Sequence, residues 1–311
     1  MLTVLLATRN RAAILRQTLE ALCRLQMPSS GWKLVIVDNG DTGQTSTVLA
    51  SFASRLPLHI VFEPTVGKNS ALNAGLALVE GDLAVFTDDD TCPHTNWLTE
   101  LRRAADDHPG YAMFGGAVVP RWESPPPHWV QWLQQGPMYS LTDPLRQAGP
   151  MPPFLVYGPN MAIRTAVFQS GVRFDPSIGP RSSSYYAMGS ETELTIRLSR
   201  QGYKAWYVPS AVVEHFIRNK QLHKSWVLKR AIRYGRGCFR LGDMEKKYGG
   251  LPLLFGVPRT YFRQICGEEK SIIKAWLMSD ERELLSACWR RNCLWGQMVE
   301  AYLRHRRRAT M

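Results

Sequence analysis

Three consecutive carboxylates, Asp88-Asp89-Asp90, close the short apolar run Leu83-Ala84-Val85-Phe86. Four apolar residues between Gly81 and a polar cluster predict a buried strand. Past the end of such a strand side chains alternate faces, which puts Asp88 and Asp90 on one side and Asp89 on the other. Two carboxylates on one face repel unless protons or a cation lie between them, and hard oxygen ligands suit Mg²⁺ or Mn²⁺. One reading is a metal-phosphate site; the other is an acidic turn capping a helix that begins near Thr95 and Asn96.

The elements that must position these acids follow a regular order. Leu2 to Ala7 predicts a strand, followed by the loop Thr8-Arg9-Asn10-Arg11 and an amphipathic helix from about Ala12 to Leu25. A strand Lys33 to Val37, the turn Asp38-Asn39-Gly40-Asp41, a helix near Thr45 to Ser54 and a strand Leu58 to Phe62 come next. After Gly67-Lys68-Asn69, a helix from about Ser70 to Val79 leads back to the acidic strand. Alternating strands and helices predict an α/β fold with a mostly parallel central sheet. In such sheets ligands lie outside the carboxyl ends of the strands. The loops at those ends all carry polar or ionisable residues, which favours the metal reading over the capping one. Asp38 becomes a candidate for holding a base or ribose, and Lys68 for a phosphate or base contact.

Beyond a helix at Leu98 to Ala105 the character changes. Arg121 to Pro153 is rich in proline and tryptophan with little periodicity, which suggests a lid or an acceptor-facing loop; the alternative is an excursion packed by its own tryptophans. Tyr157 to Arg164 reads as a turn feeding a strand, and Gly189-Ser190-Glu191-Thr192-Glu193-Leu194 opens a helix. Glu191 and Glu193 stand near that helix's N-terminus, where negative charge is favoured on electrostatic grounds alone. Two further strands bring His215 to an end position; a lone histidine is commonly structural. From Leu222 the chain predicts helices broken at Gly249-Gly250, Pro252 and Pro258, with aromatics interleaved among Lys and Arg.

The chain has 311 residues, enough for one large α/β domain with an appended segment or for two domains. Lys and Arg number 38 against 26 Asp and Glu, a formal charge of +12 that implies attraction to phosphate, nucleic acid or a membrane surface. The excess concentrates in two clusters, Arg218 to Arg240 and Arg304 to Arg308, and the neighbouring aromatics fit a basic surface against anionic lipid or a solvated face over an internal aromatic core. Six cysteines without CxxC pairing read as reduced thiols, which points to a cytoplasmic protein, peripheral at most to the inner face of the plasma membrane. No apolar run approaches the ~20 residues of a spanning helix.

Ala7-Thr8-Arg9-Asn10, Val37-Asp38-Asn39, Gly67-Lys68-Asn69 and Thr87-Asp88-Asp89-Asp90, in this order and at these separations, resemble the nucleotide-sugar-binding half of family-2 glycosyltransferases, inverting enzymes of the GT-A fold. Gly158 to Arg164 is similar to the family's acceptor-side segment, and Gly189 to Leu194 to its acidic catalytic motif. The resemblance covers about residues 1 to 217 and implies a GT-A domain there, followed by a helical basic region at 218–311. It further implies that Thr8, Arg9 and Asn10 line the nucleotide pocket with Asp38 on the nucleoside and Lys68 and Asp89 nearby. Asp88 would face ribose and metal, Asp90 would ligate Mn²⁺ or Mg²⁺, and His215 would complete the metal or diphosphate site. Ser190-Glu191 stands where the family usually has Glu-Asp, so Glu191 aligns with the catalytic base and Glu193 is its near alternative. The implied partners are a nucleotide-diphosphate sugar and a hydroxyl acceptor. The Gln-x-x-Arg-Trp motif and spanning helices of processive members are absent, which favours addition of a single sugar.

Two rivals are weaker. A haloacid-dehalogenase-type phosphatase would also place an Asp-x-Asp after a strand, but it wants Thr at Cys92 and uses the first strand. A nucleic-acid-binding module would suit the charge and the tryptophans, yet no recognisable motif for one is present.

Overall fold

A computed structural model describes residues 1–40, 43–183, 185–242 and 250–309, with Arg308 and Ala309 described by backbone alone. Asp41 and Gly249, named above, fall outside the described residues, as does the Arg308 side chain. In chain order the elements are β1 (Leu2–Thr8), α1 (Ala12–Leu22), β2 (Trp32–Asp38), α2 (Gln44–Ala50), β3 (Leu58–Phe62), α3 (Lys68–Leu76), β4 (Leu83–Phe86), β5 (Thr91–Pro93), α4 (Trp97–Asp107) and β6 (Met113–Trp122). There follow α5 (Gln135–Tyr139), β7 (Gly149–Met151), β8 (Met161–Arg164), α6 (Thr165–Gln169), α7 (Ser190–Arg200), β9 (Ala205–Ile217), α8 (Lys224–Leu241), β10 (Leu253–Leu254), β11 (Val257–Pro258), α9 (Arg259–Leu277) and α10 (Glu281–Ala309).

Two compact units emerge. The first comprises Met1–Arg121, Tyr139–Ser182 and Ser190–Phe216, and the second Trp122–Met138, Ser183–Gly189 and Ile217–Met311. The expected division was a single cut after residue 217. Residues 122–138 and 183–189 instead join the C-terminal helices because α8 reaches them: Arg230 Nε donates to Pro137 O, the Met188 N–H donates to Arg233 O, and the Arg233 guanidinium lies over the Tyr186 ring.

In the first unit the strands run β3-β2-β1-β4-β8-β6-β9-β5, with β7 on β9. β1 pairs in parallel with β2 and β4, and β2 with β3, as the alternating pattern predicts. The sheet then reverses, β8 running antiparallel to β4. Period-two alternation divides the parallel strands between two cores: Val4, Leu6, Leu34 and Ile36 face one, while Leu5, Val35 and Val37 face the other. Burial on both faces explains why these strands read as continuous apolar runs. α3 lies close on the sheet at Gly75, where a Cβ would come within 2.3 Å of Leu5 Cδ1 and 2.8 Å of Val37 Cγ2.

The Arg121 to Pro153 stretch is no featureless loop. It holds a 3₁₀ turn at His128–Trp132 as well as α5 and β7, and buries Trp129, Val130, Met138 and Tyr139.

In the second unit α8 and α10 cross closely at paired glycines: a Cβ on Gly235 would stand 2.0 Å from Cys293 O, and one on Gly296 2.1 Å from Ile232 O. Beside the crossing, buried Glu300 accepts from Arg236 Nε at 2.8 Å and Arg240 Nε at 2.6 Å. Phe239, Val257, Tyr261, Met298 and Ala301 form the local core. Arginines of the Arg218 to Arg240 cluster make contacts within this unit, while Lys220, Lys224 and Lys229 are exposed. Arg236 and Arg240 neutralise Glu300, Arg230 stacks on Trp226, and Arg233 reaches Tyr186. Among the described residues no helix is long and apolar enough to cross a membrane.

Candidate active site

The acidic turn forms because β4 ends at Phe86 and its successors bond to other elements. Thr91 Oγ1 donates to Asp88 O, Thr18 Oγ1 to Asp89 O, and the Phe216 N–H to Asp90 O. Strand alternation therefore does not extend to the carboxylates, which corrects the expected facing. Asp89 and Asp90 converge on one guanidinium, that of Arg11, at 2.5 Å each, while Asp88 turns to Lys68 Nζ at 2.5 Å. None of the three caps the helix after Asn96, so the capping alternative falls. Thr8 Oγ1 donates to Asp89 Oδ2 at 2.7 Å, leaving that carboxylate 3% exposed.

In this structure Arg11 and Lys68 supply the positive charge beside the three aspartates. Burial alone would lower the Arg11 pKa, yet Asp89, Asp90 and Asp88 raise it. Burial pushes Asp89 up. Burial would do the same to Asp90, but His215 and Arg11 outweigh it and hold that carboxyl below the usual range.

His215 is placed by β9 against this turn. Its Nδ1 lies 2.7 Å from Tyr139 O. A carbonyl only accepts, so Nδ1 carries the hydrogen and Nε2 points toward Asp90 Oδ1 at 3.5 Å. Although burial lowers the imidazole pKa, the hydrogen bond and charge of Asp90 raise it on balance. The protonated ring pairs with Asp90, whereas the neutral ring offers Nε2 beside a carboxylate oxygen, with its other N–H anchored to a carbonyl as metal-binding histidines are. The donor set therefore fits a divalent cation. Among the described residues, no three His, Cys, Asp or Glu side chains group into a complete metal cage. Mg²⁺ is commonly held by one or two carboxylates plus substrate phosphates, without a dedicated protein cage.

The second convergence is at Lys68, the first residue of α3. A lysine here opposes the helix macrodipole. It is held by two carboxylates, Asp88 Oδ1 at 2.5 Å and Glu191 Oε1 at 2.6 Å, the second at an angle too bent for an aligned hydrogen bond. Burial would lower its pKa, but Asp88 and Glu191 raise it well above the ordinary lysine value. Glu191, on the first turn of α7, also packs against the backbone of Gly158, where a Cβ would lie 2.5 Å from both Glu191 Cδ and Oε1. Asn160 pins the Gly158 segment from within: its side chain accepts from Trp97 Nε1 and donates to Ala117 O and Ala211 O, and Thr87 Oγ1 donates to Pro159 O. Glu193 is committed elsewhere, to Arg197 one turn along the helix at 2.8 Å.

A cavity of about 240 Å³ opens between these loops, lined among others by Thr8, Arg9, Arg11, Asn39, Lys68, Asp88, Asp89 and Arg181. Asp38 and Asn10 meet beside Gly40, whose Cβ would stand 2.4 Å from Asn10 Oδ1 and 3.0 Å from Asp38 Oδ1. Asn39 fastens the cavity wall, accepting from the Gly67 N–H and donating to Glu63 O and Thr65 O. Arg9 and Arg181 have no ion-pair partner among the described residues, and Arg181 Nε is buried without an acceptor. Arg11, Asn39, Gly158 and Arg181 were not among the sequence candidates for the site. Arg11 carried a signal in its place within the first strand's loop, whereas Arg181 carried none.

The Bacillus subtilis (strain 168) protein named Probable glycosyltransferase YdaM is 24% identical over 249 residues, 76% of this chain and 54% of that protein, so the chain spans about half of its length. A mannosyltransferase from Pyrobaculum calidifontis, PcManGT in complex with GDP-Man and Mn²⁺, superposes with a TM-score of 0.57 at 18% identity, covering 99% of this chain and 74% of that one. S. aureus TarS 1-349 in complex with UDP-GlcNAc does so at 0.53 and 13% identity, covering 98% and 91%. The fold is of the GT-A type shared by these structures. A family model described as Glycosyl transferase family 2 matches residues 3–170, more than half of the sequence, and the chain belongs to that family.

Proposed function

We propose that this chain moves one sugar from a nucleotide-diphosphate sugar to an acceptor hydroxyl with inversion at the anomeric carbon, in the synthesis of a polysaccharide or glycolipid. The observation that carries the reading is the Lys68 bridge, which joins the cavity's acidic turn to Glu191 through one ammonium. Neighbours of the same fold hold nucleotide sugars, GDP-Man with Mn²⁺ in one and UDP-GlcNAc in another, which supports the donor class.

Thr8, Arg9 and Asn10, together with Asp38, would cradle the nucleoside, while Arg181 and Lys68 would face the diphosphate. Asp90 and His215 would hold Mn²⁺ or Mg²⁺, with Asp88 beside them; when bound, that cation would offset charge on the departing diphosphate. Glu191 accepts the proton of the acceptor hydroxyl as its oxygen attacks the anomeric carbon. The bond from that carbon to the diphosphate oxygen breaks on the opposite face, and the nucleoside diphosphate leaves with the bonding pair. No covalent enzyme intermediate forms. For Glu191 to act as a base, Lys68 must turn away from it, and an incoming diphosphate is the competing anion.

The test is a thermal-shift screen of nucleoside diphosphates and their sugars with and without Mn²⁺. A bound ligand stabilises the native state by mass action, by about 2.7 kcal/mol at a hundredfold excess over Kd, and so raises the melting temperature. A diphosphate-specific shift enhanced by Mn²⁺ is expected. Absence of any shift across the screen overturns the reading.

A further inference from the structure

One face of α9 runs through Arg263, Cys266, Lys270, Ile273, Lys274 and Leu277, spaced three and four residues apart and all exposed. At its C-terminal end the large apolar side chains stand in solvent: Ile273 is 57% exposed, Trp276 67%, Leu277 71% and Met278 68%. Ala275, at 3%, marks the opposite side, which packs inward. The acids of the helix lie off the exposed face, Glu268 pairing with Arg290 and Glu269 with Arg291 of α10. Past the tip, Asp280 accepts the Glu283 N–H and Glu281 pairs with Lys224. Lys270 and Lys274 have no ion-pair partner among the described residues. The outward stripe is thus cationic along its length and apolar at its end, where Ser279, at a φ of 54°, turns the chain into α10.

We infer that this end of α9 docks on an anionic lipid surface. Trp276, Leu277 and Met278 enter the headgroup boundary, the region indole rings favour, while Lys270 and Lys274 approach lipid phosphates from the rim. Charge complementarity selects the occupant: cations without carboxylates on the same stripe suit a surface of uniform negative charge. A helical turn that holds its large apolar side chains in solvent enters a fluid interface without needing a matching hollow. The inference stands apart from the transfer chemistry and places a lipid-facing role on α9.

The experiment uses the full chain and vesicles of phosphatidylcholine with or without phosphatidylglycerol, at low and high salt. Wild type is expected to co-sediment with the anionic vesicles, less so at high salt, and to ignore the neutral ones. The double variant Trp276→Ser with Leu277→Ser should lose about tenfold or more in vesicle affinity at an unchanged melting temperature. Lys270→Gln with Lys274→Gln should weaken binding and flatten its salt dependence, while Trp295→Ser, at an exposed tryptophan on α10, should bind as wild type does. The inference is overturned if wild type ignores anionic vesicles at low salt, or if the Trp276/Leu277 variant binds them undiminished. It is equally overturned if that variant abolishes a concentration-dependent self-association while vesicle binding is unaffected, which would make the patch a contact between copies of the chain.

Discussion

Lys68 and Glu191 are ion-paired at 2.6 Å, and the same ammonium holds Asp88 at 2.5 Å. Two carboxylates from distant parts of the chain therefore share one positive charge. Lys68→Gln leaves them facing each other without it and removes a cation from the cavity. Nucleoside diphosphate affinity should fall by about 10–100-fold, the range for losing one charged hydrogen bond. Calorimetric titration of the variant at fixed Mn²⁺ decides this, and an unchanged affinity would remove Lys68 from the diphosphate's surroundings.

The two acids of α7 should separate cleanly. Glu191→Gln keeps size and hydrogen bonding but cannot take a proton, so transfer should drop by about 10²–10⁴ while donor binding persists. Glu193→Gln breaks only a partly exposed pair with Arg197, worth about 0.3–0.5 kcal/mol, and should leave the transfer rate near normal. A rate assay beside a donor titration for both variants checks the assignment; the reverse pattern places the base at Glu193.

Gly158 gives an independent probe of Glu191. A Cβ there would lie 2.5 Å from the Glu191 carboxyl carbon, so Gly158→Ala must displace the carboxylate. The displaced atoms are the end of a side chain, so the fold should hold, whereas a misplaced base should lower kcat about 10²-fold. Donor affinity and melting temperature should stay close to wild type. A loss of donor binding equal to the loss of kcat would refute the proposed geometry.

A divalent cation bound as proposed would address the same charge as Arg11. Arg11→Gln leaves Asp89 and Asp90 buried without their guanidinium, a change expected to destabilise by about 3–5 kcal/mol. Added Mn²⁺ should restore more of the melting temperature in this variant than it adds to wild type. Asp90→Asn should abolish the Mn²⁺ enhancement of nucleotide binding, and His215→Gln should weaken it. If Mn²⁺ shifts Arg11→Gln no more than wild type, the cation does not bind at these carboxylates.

The parallel strands β1, β2 and β4 were legible because burial on both faces leaves an uninterrupted apolar signature, and the polar loops at their carboxyl ends marked where a ligand would lie. The acidic turn was legible in residue type but not in direction. Alternation applies only while the ladder continues, and here Thr18, Thr91 and Phe216 seize the backbone one residue after another. Arg11 and Arg181 escaped because a single arginine in a loop looks the same whether it faces a carboxylate, a cavity or water. The Arg218 to Arg240 run hid its internal partner for a related reason: charge density along a sequence does not reveal that Glu300, far along the chain, lies against two of its members.

Gly75 bears on which part of the site can move. With no room for even a methyl group between α3 and the Leu5 and Val37 side chains, the helix that carries Lys68 has no slack in which to slide. On the proposed reading, uncovering Glu191 falls to the Lys68 side chain and not to its helix, and because that ammonium is largely buried and paired with two carboxylates, its release waits on an anion that takes its place.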